Sequence, residues 1–297
     1  MTSISACLEN AALRLRPCSD TAELDAQVLL ARTLDLPRSW LAAHAEEQLE
    51  PGKSAALEGL IQRLEGGEPL PYVLGEWEFY SLPFTVTHDV LIPRPETELL
   101  VEQAIAWLRL RLAGEHESST MEVLDVGTGS GCIAVALAVN VPGIHVLATD
   151  ISAAALRVAS ANAEKNGVAK RITFLEADLV PDDSTAGHFS MITANLPYIP
   201  TSTLKDLRVF GREPTLALDG GADGLSLVRR LILRSPGLLA PGGRMLLEIE
   251  ASEGAAVLSL ACDVFEQAEI HLHKDLAGHD RLLEIQVQPM TLDADEH

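Results

Sequence analysis

From Glu122 onward the chain alternates short apolar strands with helical stretches: EVLDVG, CIAVALAV, IHVLATD, AAALRVASANAEK, RITFLEAD, SMITANLPYI, LSLVRRLIL, RMLLEIE and EGAAVLSLACDVF. Apolar runs this short, separated by segments with helical spacing, cannot each bury a face alone. They predict an α/β fold, a doubly wound and mostly parallel sheet with helices on both faces. The chain then continues through AEIHLHKDL, a glycine-containing turn and RLLEIQV. Two strands joined so closely predict an antiparallel hairpin at one edge, because parallel neighbours need a long crossover. The count of expected strands is seven.

The first 65 or so residues read differently. Asp20 and Glu23 are spaced like a capping box, with Leu24, Val28 and Ala31 on one face behind them. Leu57, Leu60, Ile61 and Leu64 form a second stripe, stopped by Gly66-Gly67 and followed by Pro69 and Pro71. The expected layout is a small helical domain over 1–68, a β-hairpin connector over 69–93 and an α/β domain over 94–290. An acidic tail over 291–297 is expected to be disordered. The connector rests on the β-branched and aromatic run from Tyr72 to Ile92. A helix starting at Pro95 would bury Leu100, Ala104, Trp107 and Leu108, with ESST as the loop after it.

Charge and cysteine content exclude several partners. The 22 basic and 43 acidic residues leave a formal net charge of −21, which repels a phosphate backbone, so no direct nucleic-acid partner is expected. Cys7, Cys18, Cys132 and Cys262 have no CxxC or Cys/His ligand spacing, so neither structural zinc nor a disulfide framework is indicated. No metal site is expected at the histidines either. The N-terminus lacks a basic segment followed by an apolar core, and no stretch reaches the roughly 18 apolar residues that span a bilayer. A reduced, cytoplasmic protein without membrane contact is expected, with a monomer as the default.

The first site signal is Asp125-Val-Gly-Thr-Gly-Ser-Gly131, between a predicted strand and a predicted helix. Gly127, Gly129 and Gly131 let the backbone turn sharply and approach a ligand, with Thr128 and Ser130 between them. Asp150 ends the next strand 19 residues after Gly131, where a nucleoside ribose presents its diol. A dinucleotide fingerprint would place its third glycine where Cys132 stands, and no GK[ST] follows. S-adenosylmethionine fits better, having no phosphate and carrying net positive charge. Asp178, after the third strand, can accept from an adenine amine or serve as a loop or capping aspartate.

The second signal is Asn195-Leu196-Pro197-Tyr198 at the end of the fourth strand, the edge at which open α/β sheets bind ligands. An amide nitrogen is a poor nucleophile because its lone pair is delocalised, so a site that methylates one must hold its NH₂ in line with the methyl donor. The Asn195 side-chain oxygen and the Leu196 carbonyl can each accept one N–H. Pro197 stiffens the loop and Tyr198 can cover the planar amide. A methylated, still protonated amide is strongly acidic, so no dedicated base is required.

These segments, together with GEPLPYVLGEWEFYSLPFTV, LIPRPETELLVEQA, REPTLALDGGADGL, PGGRMLLEIE and KDLAGHDR, resemble the release-factor glutamine methyltransferases over nearly the whole chain. That resemblance implies the class I S-adenosylmethionine-dependent methyltransferase fold behind an N-terminal helical domain that helps recognise the release factor. It also implies methylation of the glutamine side-chain nitrogen (N5) in a Gly-Gly-Gln loop of peptide chain release factors. Carried over, it places cofactor contacts at Gly127 through Gly131, Asp150, Asp178, Leu179 and Asn195, and substrate contacts at Asn195 through Tyr198, with Arg94 and Glu213 at the entrance. Leu179 replaces a residue that is often aromatic in the family, and Leu196 replaces the first proline of Asn-Pro-Pro-Tyr, which keeps the backbone acceptor but loosens the loop.

Three alternatives remain in view. Asn-Leu-Pro-Tyr also resembles the RNA adenine N6-methyltransferases, against which stand the negative charge and the N-terminal position of the helical segment. A ribosomal-protein glutamine methyltransferase would share the amide chemistry. A non-catalytic module would recruit translation factors, but Asn195 and Tyr198 are intact. Arg94, Glu96, Thr97 and Glu98 either lie where a substrate loop enters or form an ordinary solvated first turn.

Overall fold

The computed structural model describes residues 2–114, 120–181 and 188–289. The chain forms two compact units, Met1–Glu76 and Trp77–His297. The expected tail over 291–297 and all of the ESST loop but Thr120 lie outside the described residues.

The first unit is helical: α1 (Ile4–Leu15), α2 (Ala22–Leu34), α3 (Arg38–Ala43), α4 (Pro51–Glu65) and α5 (Leu70–Leu74). Its core is built from Leu15, Leu29, Leu30, Leu41, Leu57 and Ile61. Ser3 caps α1 by accepting from the Ala6 N–H. In α2 the N-cap is Thr21, and its side chain makes no capping bond. The acid that organises this turn is Asp25, buried inside the helix, which accepts from the Ser19 and Thr21 hydroxyls at 2.5 and 3.0 Å. The buried stripe is Ala22, Ala26, Leu29 and Leu30, leaving Leu24 43% exposed. Of the expected stripe Ala31 is buried and Val28 half-buried, and Leu24 alone turns outward, because the adjacent Leu29-Leu30 pair decides which side packs inward.

The second expected stripe is present, with Leu57, Ile61 and Leu64 buried, Gly66 as C-cap and Gly67 at φ 87°. Pro69 and Pro71 end α4 but also open α5, which occupies the start of the expected hairpin. A proline in the first helical turn removes an N–H that has no intrahelical acceptor, so the interruption costs little.

The hairpin itself is shorter, β1 (Glu76–Phe79) and β2 (Leu82–Thr85), joined through Tyr80 and Ser81 at φ 50° and 58°. Positive φ at both central residues gives the turn a twist that matches its strands. Helix α6 (Thr97–Ala113) begins two residues after Pro95, because Arg94 to Glu98 form a tight turn in which the Thr97 N–H donates to the Arg94 carbonyl. It buries Leu100, Ala104 and Leu108. Trp107 is half-buried beneath the Arg244 guanidinium, 5.3 Å from the ring centroid.

The rest is the expected alternation: β3 (Met121–Val126), α7 (Cys132–Asn140), β4 (Ile144–Asp150), α8 (Ala153–Lys165), β5 (Ile172–Glu176), β6 (Phe189–Asn195), α9 (Thr201–Leu204), α10 (Ser226–Arg234), β7 (Leu239–Glu248), α11 (Gly254–Val264), β8 (Glu269–Lys274) and β9 (Asp280–Gln286). The seven strands run β5-β4-β3-β6-β7-β9-β8. The first five are parallel, and β9 pairs antiparallel with both β7 and the edge strand β8.

One face of the sheet is packed by α6, α7 and the hairpin residues Phe79 and Phe84. The other is packed by α10 and α11. Strand order reverses at β3, which has β4 on one side and β6 on the other, so the carboxyl ends of these three strands open onto a crevice. Among the described residues no helix is long and apolar enough to cross a membrane.

Candidate active site

Three glycines shape the floor of this crevice. After β3 the chain turns through Gly127, Gly129 and Gly131 at φ 71°, 55° and 79°, a region that L-residues enter at a cost of about 1–2 kcal/mol. A Cβ on Gly131 would lie 3.0 Å from that of Ala159, so the same glycine also lets α7 and α8 approach. Beneath the loop sits Asp125, fully buried, accepting from the Thr128 hydroxyl at 2.7 Å and the Thr193 hydroxyl at 2.9 Å. Burial raises its pKa to about 6 against the opposing effect of those bonds. Sequence reasoning quoted Asp125 but gave it no role; the two threonines that hold it belong to different strands and loops.

Asp150, at the end of β4, accepts from the Gly129 N–H at one oxygen and the Ser152 N–H at the other, each at 2.9 Å. It thereby ties the glycine loop to the next helix, and each oxygen keeps acceptor capacity for a further donor. A cavity of about 410 Å³ lies above, within the range of small-molecule sites. Of the residues nominated from sequence, it is lined by Arg94, Thr97, Gly127, Thr128, Gly129, Ser130, Asp150, Asp178, Leu179, Asn195, Leu196 and Pro197. Gly131, Tyr198 and Glu213 are not among its lining residues.

Two lining residues have partners of their own within the protein. Asp178 lies two residues beyond β5, and its carboxylate accepts from Arg230 at 2.6 Å on the exposed surface. It lines the cavity all the same, and a carboxylate paired through one oxygen keeps acceptor capacity for a further donor. Leu179 is 7% exposed at φ 69°, with its carbonyl accepting from the Thr149 hydroxyl at 2.6 Å. Sequence reading missed Ile151, 53% exposed and on the cavity wall. The available signal was its place directly after Asp150, where an exposed isoleucine can cover a flat ring.

Asn195 ends β6 opposite Glu248 of β7. Its amide nitrogen donates to the Thr97 hydroxyl oxygen at 3.0 Å, and both side chains lie in hydrogen-bonding reach of the buried Glu248 carboxyl. Leu196 is 3% exposed, and its Cδ2 would stand 2.9 Å from a Cβ on Gly127. This leucine thus wedges the Asn-Leu-Pro-Tyr loop onto the glycine loop, which supplies by packing what a proline would supply by stiffness.

The following residues are braced from one side: the Ile199 N–H donates to Leu218, the Gly220 N–H to Ile199 and the Thr201 N–H to Gly221. A Cβ on Gly220 would come within 2.4 Å of the Gly224 carbonyl and 2.8 Å of the Tyr198 backbone. Gly220→Ala is therefore expected to displace Tyr198 and lower turnover more than tenfold while the circular-dichroism spectrum stays native. Turnover at the wild-type level would show that the brace is dispensable. The Tyr198 hydroxyl is pushed up to about 12, mainly by burial and then by the nearby Glu248 charge.

Arg94 and Glu213, nominated separately from sequence, form a pair at 2.5 Å. The Ile92 N–H donates to the other Glu213 oxygen at 3.2 Å. Glu213 is buried and holds in place the segment that brings Pro214 and Leu216 to the cavity.

A second buried acid, Glu253, has an unpartnered Oε2 and packs against Gly224; burial raises it to about 7. Because its folded value lies above its ordinary one, the native state favours the protonated form. Its contribution to stability is present at low pH and lost as pH rises through about 7. Glu253→Gln is expected to raise the melting temperature at pH 8 but not at pH 5. An equal shift at both would place the effect elsewhere.

A parallel sheet reversed at β3, a glycine turn beneath the crevice and an acid at the end of β4 define a class I S-adenosylmethionine-dependent methyltransferase fold. Residues 6–75 match the model of the PrmC N-terminal domain, and residues 104–205 match that of ribosomal protein L11 methyltransferase (PrmA). The release factor glutamine methyltransferase of Moorella thermoacetica is 44% identical over 87% of this chain and 89% of its own. That of Bordetella pertussis is 40% identical over 87% and 93%. Among solved structures, the hMettl16 catalytic domain in complex with MAT2A 3'UTR hairpin 6 is 17% identical over 75% of this chain and 81% of that one, with a TM-score of 0.54. Its likeness is one of fold. The chain belongs to the release factor glutamine methyltransferase family.

Proposed function

We propose that this chain transfers a methyl group from S-adenosylmethionine to the side-chain amide nitrogen (N5) of the glutamine in the Gly-Gly-Gln motif of peptide chain release factors. The observation that carries this reading is the state of Asn195. Its amide nitrogen faces Thr97 and Glu248, so the oxygen is the group left to accept from a substrate. A site with an acceptor in this position suits an NH₂ substrate.

The residues fit the cofactor. Gly127 and Gly129 leave room where a Cβ would stand against a ligand, Asp150 retains acceptor capacity for a diol, and Ile151 and Leu179 offer apolar walls. When bound, S-adenosylmethionine supplies an electrophilic methyl group. Asn195 Oδ1 and the Leu196 carbonyl then hold the amide N–H groups, restrict the nitrogen to one orientation and favour the positive charge it acquires. Pro197 fixes the carbonyl's direction, and Tyr198 covers the planar amide. Arg94 and Glu213 order the lip through which a glutamine enters. The reading includes a monomer acting in the cytoplasm, with no nucleic-acid partner.

The test is a methyl-transfer assay with labelled S-adenosylmethionine, offering release factor, ribosomal protein and ribosomal RNA in separate reactions and locating the label by mass spectrometry. Label is expected on the Gly-Gly-Gln glutamine. Label on RNA or on ribosomal protein alone would overturn the substrate assignment.

A further inference from the structure

Glu248 is 1% exposed, and its Oε2 has no hydrogen-bond partner. Burying a carboxyl with one oxygen unsatisfied costs stability, and an apolar residue of similar size would pack a β-strand better. Packing therefore does not explain it. What the carboxyl touches does: the hydroxyl of Thr97 at the start of α6 and the side chain of Asn195 at the end of β6.

We infer that Thr97 and Glu248 are positioning residues that set which way the Asn195 carboxamide faces, and so present its oxygen to the substrate amide. This rests on the function proposed above and adds to it Thr97, which also lines the cavity, and Glu248, both acting through Asn195. A carboxylate only accepts, so the Thr97 hydroxyl gives its proton to Glu248. The Thr97 oxygen is then an acceptor, and Asn195 must turn its NH₂ toward both. The polarity of the whole chain is fixed at its buried end. Were Glu248 protonated, it could donate to the Thr97 oxygen, the hydroxyl could donate to Asn195 Oδ1, and the carboxamide would offer NH₂ to an NH₂.

The groups facing Glu248 come from several neighbouring elements: Glu96 at the N-cap of α6 and Thr97 at its first position, Asn195 from β6, Tyr198 from the loop after it, Arg281 from β9 and Cys132 from α7. Burial outweighs Arg281 and the two hydrogen bonds, raising Glu248 to about 7. The switch in polarity therefore falls near neutrality.

Two measurements test this. In the transfer assay, Thr97→Val is expected to lower kcat about ten- to a hundredfold, with the release-factor KM and the cofactor dissociation constant within threefold of wild type. Thr97→Ser is expected to restore kcat to within threefold. Wild-type kcat in the valine variant, or equal loss in both, overturns the inference. The second measurement needs no substrate: the Asn195 side-chain NH₂ resonances of the full chain, labelled at asparagine, are followed from pH 5.5 to 8.5. A titration with a midpoint near 7 that vanishes in Glu248→Gln supports the positioning role, and Asn195 resonances identical in wild type and Glu248→Gln across that range overturn it. Failure of wild type to methylate a release factor would instead remove the functional reading, leaving the resonance experiment to decide the orientation of Asn195.

Discussion

Asn195→Ala is expected to lower kcat by about 10²- to 10³-fold, the range seen when one preorganised polar contact to a transition state is removed. The dissociation constant for S-adenosylmethionine should stay within threefold. The split follows from the geometry. The carboxamide oxygen is the part of Asn195 left for a ligand, whereas the glycine loop and Asp150 are held by bonds that do not involve it. Because the acceptor matters most as the nitrogen gains positive charge, the loss should appear in kcat more than in KM. Rapid-quench kinetics with saturating release factor separate the terms, and turnover within threefold of wild type would exclude the role. Truncation also strips Glu248 of a partner, so the variant's melting temperature should be recorded beside its rate.

The second large effect is expected at the other end of the cavity. Asp150→Ala should raise the cofactor dissociation constant by roughly ten- to a hundred-and-fiftyfold, corresponding to about 1.5–3 kcal/mol for lost hydrogen bonds to a charged group. Two causes act together. The ribose hydroxyls lose their acceptor, and the Gly129 and Ser152 N–H groups lose the carboxylate that joins them. Asp150→Asn keeps one acceptor oxygen but cannot satisfy both N–H groups and a diol, so an intermediate affinity is expected. Calorimetric titration with the cofactor and with its demethylated product measures this without the protein substrate. An unchanged constant in the alanine variant would remove the ribose assignment.

The ease of reading differed along the chain for physical reasons. The strands of the sheet were legible because each is a short apolar run with a polar turn at its end, and burial on both faces leaves little room for another pattern. The glycine turn was legible because positive φ at Gly127, Gly129 and Gly131 admits few other residues. In helix α2 Leu24 was misjudged while Ala31 was not, since a cap-like pair at Asp20 and Glu23 carries less free energy than burial of Leu29 and Leu30. The start of the connector looked extended because of the β-branched and aromatic run from Tyr72, with Pro69 and Pro71 read as a helix stop, yet prolines at a helix start are as compatible with α5 as with a strand.

The amino-acid sequence by itself determined the order of elements, the glycine turn with an acid after the next strand, and an Asn-Leu-Pro-Tyr loop at the binding edge. Each is a local pattern whose cause lies within a few residues: backbone sterics, apolar spacing, or a proline. The tertiary structure alone decided which groups those residues meet. It joined Arg94 to Glu213 across 119 positions, placed Leu196 against Gly127, and set Thr97 and Glu248 behind Asn195. Hydrogen bonds and ion pairs between distant segments depend on how helices seat on the sheet. That seating is fixed by burial of large side chains over the whole domain, which no local window of the chain contains.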